Sequence, residues 1–175
     1  MRLREYFDRD DGSRPEIELA FAEPAALLRA FQLLFEAGAR DVTVGGARLW
    51  LADAQTEQPF RGPGDVALVV DDQADAFHVM LAGIRIDGIV LPDLGVHVDP
   101  DRLTFDYRRG PPWSALQVDA LLVLLVRLQA LGGVVEVPWW GAHGEDAFRA
   151  ALAETARSQD IPAFEPGTRP AGPPR

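Results

Sequence analysis

The chain has 175 residues, of which 47% are apolar and 25% charged, and it contains no lysine, cysteine or asparagine. These absences exclude a lysine Schiff base, a P-loop lysine, a cysteine nucleophile, a disulfide and an N-glycan acceptor. Acidic residues outnumber arginines by 27 to 17, and the net charge of −10 disfavours nucleic-acid binding and favours a basic protein partner.

The N-terminus and the longest apolar run carry no targeting or membrane signal. No apolar core follows residues 1–5, so we expect no signal peptide. The apolar run at residues 120–126 is far shorter than the ~20 residues that cross a bilayer. We therefore expect a cytoplasmic protein that does not engage a membrane.

Proline and glycine divide the chain into three parts. Residues 1–15 are predicted to form an N-terminal arm with a turn rich in aspartate, and the arm ends at a proline. Residues 16–160 carry the periodic apolar patterns of a single domain. Residues 161–175 are rich in proline and glycine without periodicity, which predicts a disordered tail.

The first part of the domain predicts a strand, a helix and a hairpin. Apolar and other side chains alternate over residues 16–21, as in a half-buried strand. Pro24 opens an amphipathic helix that ends near residue 37, before a glycine suited to a left-handed cap. Residues 42–44 begin the next strand, and two glycines favour a tight hairpin into residues 47–51.

The middle of the chain predicts a loop over residues 53–64, followed by a succession of strands. The four strand predictions cover residues 66–70, 77–86, 94–98 and 102–107. Side chains alternate in the last of them, which indicates an antiparallel strand with one solvated face. His78 and His97 lie in these strands without neighbours at metal-ligand spacing, so we interpret both as ordinary strand histidines.

The last part of the domain predicts two further helices with a strand between them. Ser114 is suited to cap a helix that runs to residue 131. This helix is apolar on nearly every side, so we expect it to be the most buried. A strand over residues 134–137 and a helix over residues 145–158 follow.

Together these elements predict an α+β fold. A single, mostly antiparallel sheet of about six to eight strands would carry two main helices and a third, C-terminal helix. The order strand–helix–strand occurs over residues 16–44 and again over residues 102–137, which suggests a pseudo-repeat.

Two acidic clusters are candidates for contact with a basic partner. They are Asp8, Asp10 and Asp11 in the arm, and Asp71, Asp72 and Asp75 between two predicted strands. Neither cluster fits a metal or catalytic site. The spacing in the arm does not match a calcium loop, and the second cluster lies in a connecting turn, which is usually open to solvent. Trp139 and Trp140 are adjacent on a predicted extended segment and would point to opposite faces, so one of them would be exposed as an anchor.

His143, Glu145 and Asp146 form an alternative, ligand-binding candidate at the junction of a strand and a helix. A titratable imidazole beside two carboxylates could bind a ligand or move a proton. The competing interpretation is that the carboxylates complement the dipole of the following helix.

Arg108, Arg109 and Trp113 form a second candidate for a ligand. The two guanidinium groups could hold a carboxylate or phosphate, with the tryptophan as a stacking plate. The competing interpretation is that Pro111 and Pro112 set a corner between strand and helix, while an arginine pairs with an aspartate.

No motif assigns catalysis, a metal or a cofactor. The chain has three serines and none lies in a nucleophile elbow, and no dinucleotide, zinc or Walker pattern is present. In size, acidity and lack of catalytic groups the chain resembles small bacterial immunity proteins, although no defined motif carries the resemblance. We therefore expect a non-enzymatic interaction protein that binds a protein partner, such as an immunity-type inhibitor of a bacterial toxin. The alternatives are a ligand-binding or hydrolase-like domain centred on His143, and a structural subunit of a larger assembly.

Overall fold

The computed structural model describes residues 3–159, which contain five helices and ten strands. The helices are α1 (Glu5–Asp8), α2 (Pro24–Glu36), α3 (Val66–Val70), α4 (Ala115–Ala130) and α5 (Gly141–Ser158). The first five strands are β1 (Glu16–Phe21), β2 (Arg40–Asp41), β3 (Arg48–Leu51), β4 (Thr56–Pro59) and β5 (Phe77–Ala82). The others are β6 (Arg85–Ile86), β7 (Ile89–Val90), β8 (Leu94–Val98), β9 (Arg102–Tyr107) and β10 (Gly133–Glu136). The predicted tail lies outside the described residues.

Six strands form one antiparallel sheet in the order β10-β1-β9-β8-β5-β2, and the other four form two hairpins, β3-β4 and β6-β7. This architecture confirms the predicted α+β fold with a mostly antiparallel sheet. The alternation read from the sequence sets which face is buried. Ile17 pairs with Phe105, which in turn pairs with Val96, and all three are fully buried on the same face.

Helices α2 and α4 pack with that apolar face in one core. Nine of the sixteen residues of α4 are buried, as its all-round apolar sequence predicts. Ser114 caps the helix, since its hydroxyl accepts a hydrogen bond from the N–H of Leu116 at 3.2 Å. The opposite face of the sheet carries the polar members of the alternation and is open to solvent.

The predicted strand–helix–strand order is present in both halves, but their geometry differs. Because neighbouring strands alternate in direction, β9 and β10 run parallel on either side of β1, so β9-α4-β10 is a split crossover. Strands β1 and β2 also run parallel, with three strands between them. The strand that mirrors β10 about the central pair β1-β9 is therefore β8 and not β2.

The arm is part of the same core. Phe7 of α1 is fully buried, and its ring lies 4.9 Å from Tyr107 and 5.0 Å from Trp113 between centroids. The N–H of Gly110 donates to the carbonyl of Phe7 at 2.7 Å. The loop after β9 thus fastens the arm to the end of the sheet.

The predicted hairpin over residues 42–51 is wrong. Strand β2 pairs with β5, and β3 pairs with β4. Strand β4 lies in the segment that the proline and glycine content predicted to be a loop. The carboxylate of Asp41 accepts hydrogen bonds from the N–H groups of Thr43 and Ala47 at 2.8 and 2.9 Å. These bonds close the connection between β2 and β3 as a loop, so the two strands never pair.

Three local predictions also differ from the structure. Residues 66–70 are a helix and not a strand, because a 3-10 turn at Pro63–Asp65 starts the helical winding and buries Val66 and Val69 on one side. The strand predicted over residues 77–86 is broken by Gly83, whose φ is +83°. Helix α5 begins at Gly141, before its predicted start, and a 3-10 turn at Pro138–Trp140 replaces the extended segment that would hold the two tryptophans.

Candidate functional site

The acidic arm and the arginine pair, predicted as separate sites, lie against each other. Arg108 pairs with Asp10 at 3.2 Å and Arg109 with Asp11 at 2.9 Å, while Asp8 pairs with Arg4 at 2.9 Å within the arm. All three aspartates of the arm are therefore already matched by guanidinium groups of the same chain.

The pairing extends to local hydrogen bonds that hold Asp11 ionised. The hydroxyl and N–H of Ser13 both donate to its carboxylate and lower the pKa of Asp11, and the charge of Arg109 lowers it further. The Arg109 guanidinium also donates to the carbonyl of Glu5 at 2.9 Å. This cluster binds the arm to the domain, with the three aspartates of the arm and both arginines of the loop in ion pairs within the chain.

Trp113 does not act as a stacking plate, because its side chain is 1% exposed. Its indole N–H donates to the carbonyl of Arg108 at 2.9 Å, and its ring meets Tyr107 edge-on at 5.2 Å. Burial of the apolar surface of this ring in the core stabilises the fold. Trp113 is therefore a core residue, and the prediction that its ring is a stacking plate for a ligand is wrong.

Trp140 is not an exposed anchor either. It is 6% exposed and stacks on Tyr6 with 4.4 Å between centroids and 7° between planes. Phe148 of α5 meets its ring edge-on at 4.9 Å. The side chain of Trp139 lies outside the described part, so its role as an anchor stays a prediction.

His143 lies within the first turns of α5 and not in a loop, and it is exposed. Glu145, two residues on, forms an ion pair with Arg149 at 2.7 Å along the same helix. Asp146 is exposed. The structure brings these three residues together on one helix end, but no second element is shown to close a cleft over His143.

The second acidic cluster is exposed to solvent. Asp71, Asp72 and Asp75 lie in the turn between α3 and β5, all three are exposed, and none forms an ion pair within the described residues. Asp72 has a φ of +55°, a left-handed conformation that aspartate tolerates in turns. We call this segment, residues 71–75, the acidic turn.

Strand β3 holds the acidic turn in place and presents an exposed tryptophan beside it. The N–H of Asp75 donates to the carbonyl of Trp50 at 2.9 Å, and that of Ala52 donates to the carbonyl of Gln73 at 3.0 Å. Trp50 is 40% exposed, whereas its neighbour Leu49 is fully buried. The alternation of buried and exposed side chains within β3 is the signal for this exposure, although the adjacent pair at 139–140 was the predicted anchor.

The open face of the sheet carries a second arrangement that the sequence analysis missed. Nε2 of His78 lies 2.7 Å from one carboxylate oxygen of Asp106, and Arg14 donates to the other oxygen at 3.0 Å. Gly95 lies between them on β8, where a Cβ would overlap the carboxylate and come within 2.5 Å of the histidine nitrogen. His97 pairs directly with His78 across the strands, but its own Nε2 lies 3.5 Å from Asp99.

A cleft of about 570 Å³ lies between the N-terminal half of α4 and the C-terminal half of α5. Its lining includes apolar residues of both helices and Leu3 of the arm, and His143 is not part of it. The polar residues Asp119 and Glu154 stand on its two helical walls.

Within residues 3–159, no group of three or more metal-ligating side chains is placed to hold an ion. In the same part of the chain, no helix has the length and apolarity to cross a membrane. The chain matches no family model, no curated protein and no solved structure. Its class must therefore be argued from the geometry described above.

Proposed function

We propose that this protein is a non-enzymatic interaction domain that binds a basic protein partner through the acidic turn and Trp50. The observation that carries the proposal is the difference between the two acidic clusters. The aspartates of the arm form ion pairs with arginines of the same chain. The acidic turn, in contrast, has three carboxylates without an ion pair in the described part.

The chemistry of this surface suits protein recognition. A half-exposed tryptophan beside unpaired carboxylates offers an apolar anchor with a charged surround, which is the usual composition of a binding hot spot and its rim. The net charge of −10 would speed the approach of a basic partner and repel nucleic acids.

The specific case that we favour is an immunity-type inhibitor that binds and blocks a bacterial toxin in the cytoplasm. Such an inhibitor needs a complementary surface and no catalytic groups. This agrees with a chain whose histidines lie on an open sheet face or on an exposed helix end.

The experiment is a capture of partners from the native lysate with tagged protein, compared between two triple variants. One variant carries Asp71→Asn, Asp72→Asn and Asp75→Asn. The matched control carries Asp8→Asn, Asp10→Asn and Asp11→Asn, so that each variant has lost three of the ten net negative charges. The captured protein is identified by mass spectrometry and its affinity is then measured with purified components at rising salt.

We expect the variant of the acidic turn to lose affinity and salt dependence, and the variant of the arm to keep both. Trp50→Ala should weaken binding by ~2 kcal/mol or more if the indole is an anchor. Equal losses in the two triple variants would indicate that only the net charge matters. A loss confined to the arm variant would move the interface to the arm.

A further inference from the structure

We propose that the cleft between α4 and α5 is a binding site for a small apolar ammonium compound. This site is separate from the acidic turn, and the inference does not depend on the proposed protein partner. A volume of about 570 Å³ falls within the range of 300–1,000 Å³ that is usual for small-molecule sites.

The floor of the cleft is apolar and is supplied by rigid elements. Val118, Leu122 and Val123 project from α4, and Ala151 projects from α5. The three residues of α4 belong to the main core and are less than 10% exposed, so the floor is firmly packed from below. A ligand with an apolar body could pack against this floor at little cost in ordering the protein.

The charged side chains at the rim of the cleft favour a ligand of positive charge. Asp119 on α4 and Glu154 on α5 face the cleft from its two walls, and neither forms an ion pair in the described part. The one arginine of the lining, Arg4, is already paired with Asp8 at 2.9 Å. The two carboxylates therefore favour a cation, and an ammonium can donate charge-assisted hydrogen bonds to a carboxylate.

The size of the cleft favours a small molecule over a protein segment. Its length along α5, from Ala151 to Gln159, is only about 12 Å at 1.5 Å per residue. A compound with one aromatic ring and a short chain ending in an amine matches both this length and the position of the carboxylates at the rim.

Three probes with the same apolar body test the proposal on the full chain. They are 4-phenylbutylamine, 4-phenylbutan-1-ol and 4-phenylbutyrate, which differ only in the charge of the terminal group. Binding is measured by calorimetry, and the site is located by chemical-shift changes in NMR spectra. We expect the amine to bind about tenfold more tightly than the alcohol and the carboxylate to bind least, with shifts at the cleft.

Matched variants separate the rim from the floor. Asp119→Asn with Glu154→Gln should reduce the affinity for the amine to that for the alcohol, whereas Asp53→Asn with Asp93→Asn removes the same charge elsewhere and should leave it unchanged. Ala151→Trp should abolish binding of all three probes, with the circular dichroism spectrum confirming that the variant folds.

Three results would overturn the proposal. One is equal affinity for the three probes, which would leave no role for the carboxylates. Another is a set of chemical-shift changes outside the cleft. The third is binding of the amine only to a chain that ends at Gln159, which would identify residues 160–175 of the chain itself as the occupant.

Discussion

Arg109 donates a hydrogen bond to the carboxylate of Asp11 at 2.9 Å, across 98 positions of the sequence. The pair joins the loop after β9 to the arm, and beside it Arg108 and Asp10 form a second pair at 3.2 Å. Two oppositely charged sequence motifs, each of which could attract a partner, thus satisfy one another. Of the two acidic clusters, only the acidic turn has aspartates without an ion pair in the described residues.

Replacing Arg109 should loosen the arm. Its side chain is only 15% exposed, and Arg109→Ala would remove the hydrogen bond to the carbonyl of Glu5 together with the packing of the aliphatic part. We expect a loss of about 1–2 kcal/mol in the free energy of unfolding, measured by urea denaturation.

Arg108→Ala is the matched control for that variant. The side chain of Arg108 is 73% exposed, and exposed ion pairs contribute little. A similar loss in both variants would mean that the charge of the loop, and not the position of Arg109, holds the arm.

Gly95→Ala should break the pair between His78 and Asp106. The added Cβ would occupy the space of the carboxylate, so both side chains would have to rotate away from each other. Because both are ends of side chains that can move into solvent, we expect a moderate loss of about 1–2 kcal/mol in unfolding free energy.

The same substitution in the background of Asp106→Ala separates this cause from a general intolerance of β8. Without the carboxylate, Gly95→Ala should cost much less, and the difference is the coupling energy of a double-mutant cycle. An undiminished cost in that background would contradict the explanation.

Tyr107→Phe should stabilise the protein. The hydroxyl of Tyr107 is buried and has no hydrogen-bond partner in the described part. Removing an unpaired polar group from the core should raise the unfolding free energy by about 1 kcal/mol, measured by urea denaturation at pH 7. A loss of stability would reveal a partner for the hydroxyl, such as a buried water.

The same variant should change the response to alkali. Burial raises the pKa of Tyr107 far above its ordinary value, and the charge of Arg109 only partly opposes this. In the unfolded chain the phenol ionises near pH ~10, so the unfolding free energy falls as the pH rises past that value. Tyr107→Phe should lack this part of the decline between pH 9 and 11, relative to its own stability at pH 7.

Asp41→Asn should destabilise the loop between β2 and β3. Partial burial raises the pKa of Asp41, but the hydrogen bonds from Ala47 and Thr43 outweigh it and hold the pKa below its ordinary value. The carboxylate therefore contributes stability above pH ~4, and this contribution is lost as the pH falls through the lowered pKa. We expect the variant to lose about 0.5–1 kcal/mol at pH 7, because the two N–H groups donate to different carboxylate oxygens and the NH2 group of asparagine cannot accept in place of one of them.

The pH dependence supplies the check on this explanation. The difference in unfolding free energy between Asp41→Asn and the parent should shrink toward pH 2, because protonation of the carboxyl in the folded chain removes the contribution of the carboxylate. Asp53→Asn, on an exposed turn, is the control and should show no such dependence. A difference that persists at pH 2 would point to a packing defect.

Features that depend on neighbours along the chain were predictable from the amino-acid sequence alone. Alternation at Glu16–Phe21 and Arg102–Tyr107 predicted the buried face of the sheet, and the apolar residues on nearly every side of Ala115–Ala130 predicted the most buried helix. Ser114 marked its start. These features were predictable because side-chain periodicity and capping are local properties of the backbone.

The three-dimensional fold determines which groups distant in sequence come into contact. It paired Asp11 with Arg109 and His78 with Asp106, buried Trp140, and left Trp50 and the acidic turn exposed. The pattern of residues 66–70 fitted a strand as well as a short helix until its neighbours were placed. The physical reason is that the free energy of a charge or an indole depends on what surrounds it in space, and local sequence does not specify those surroundings.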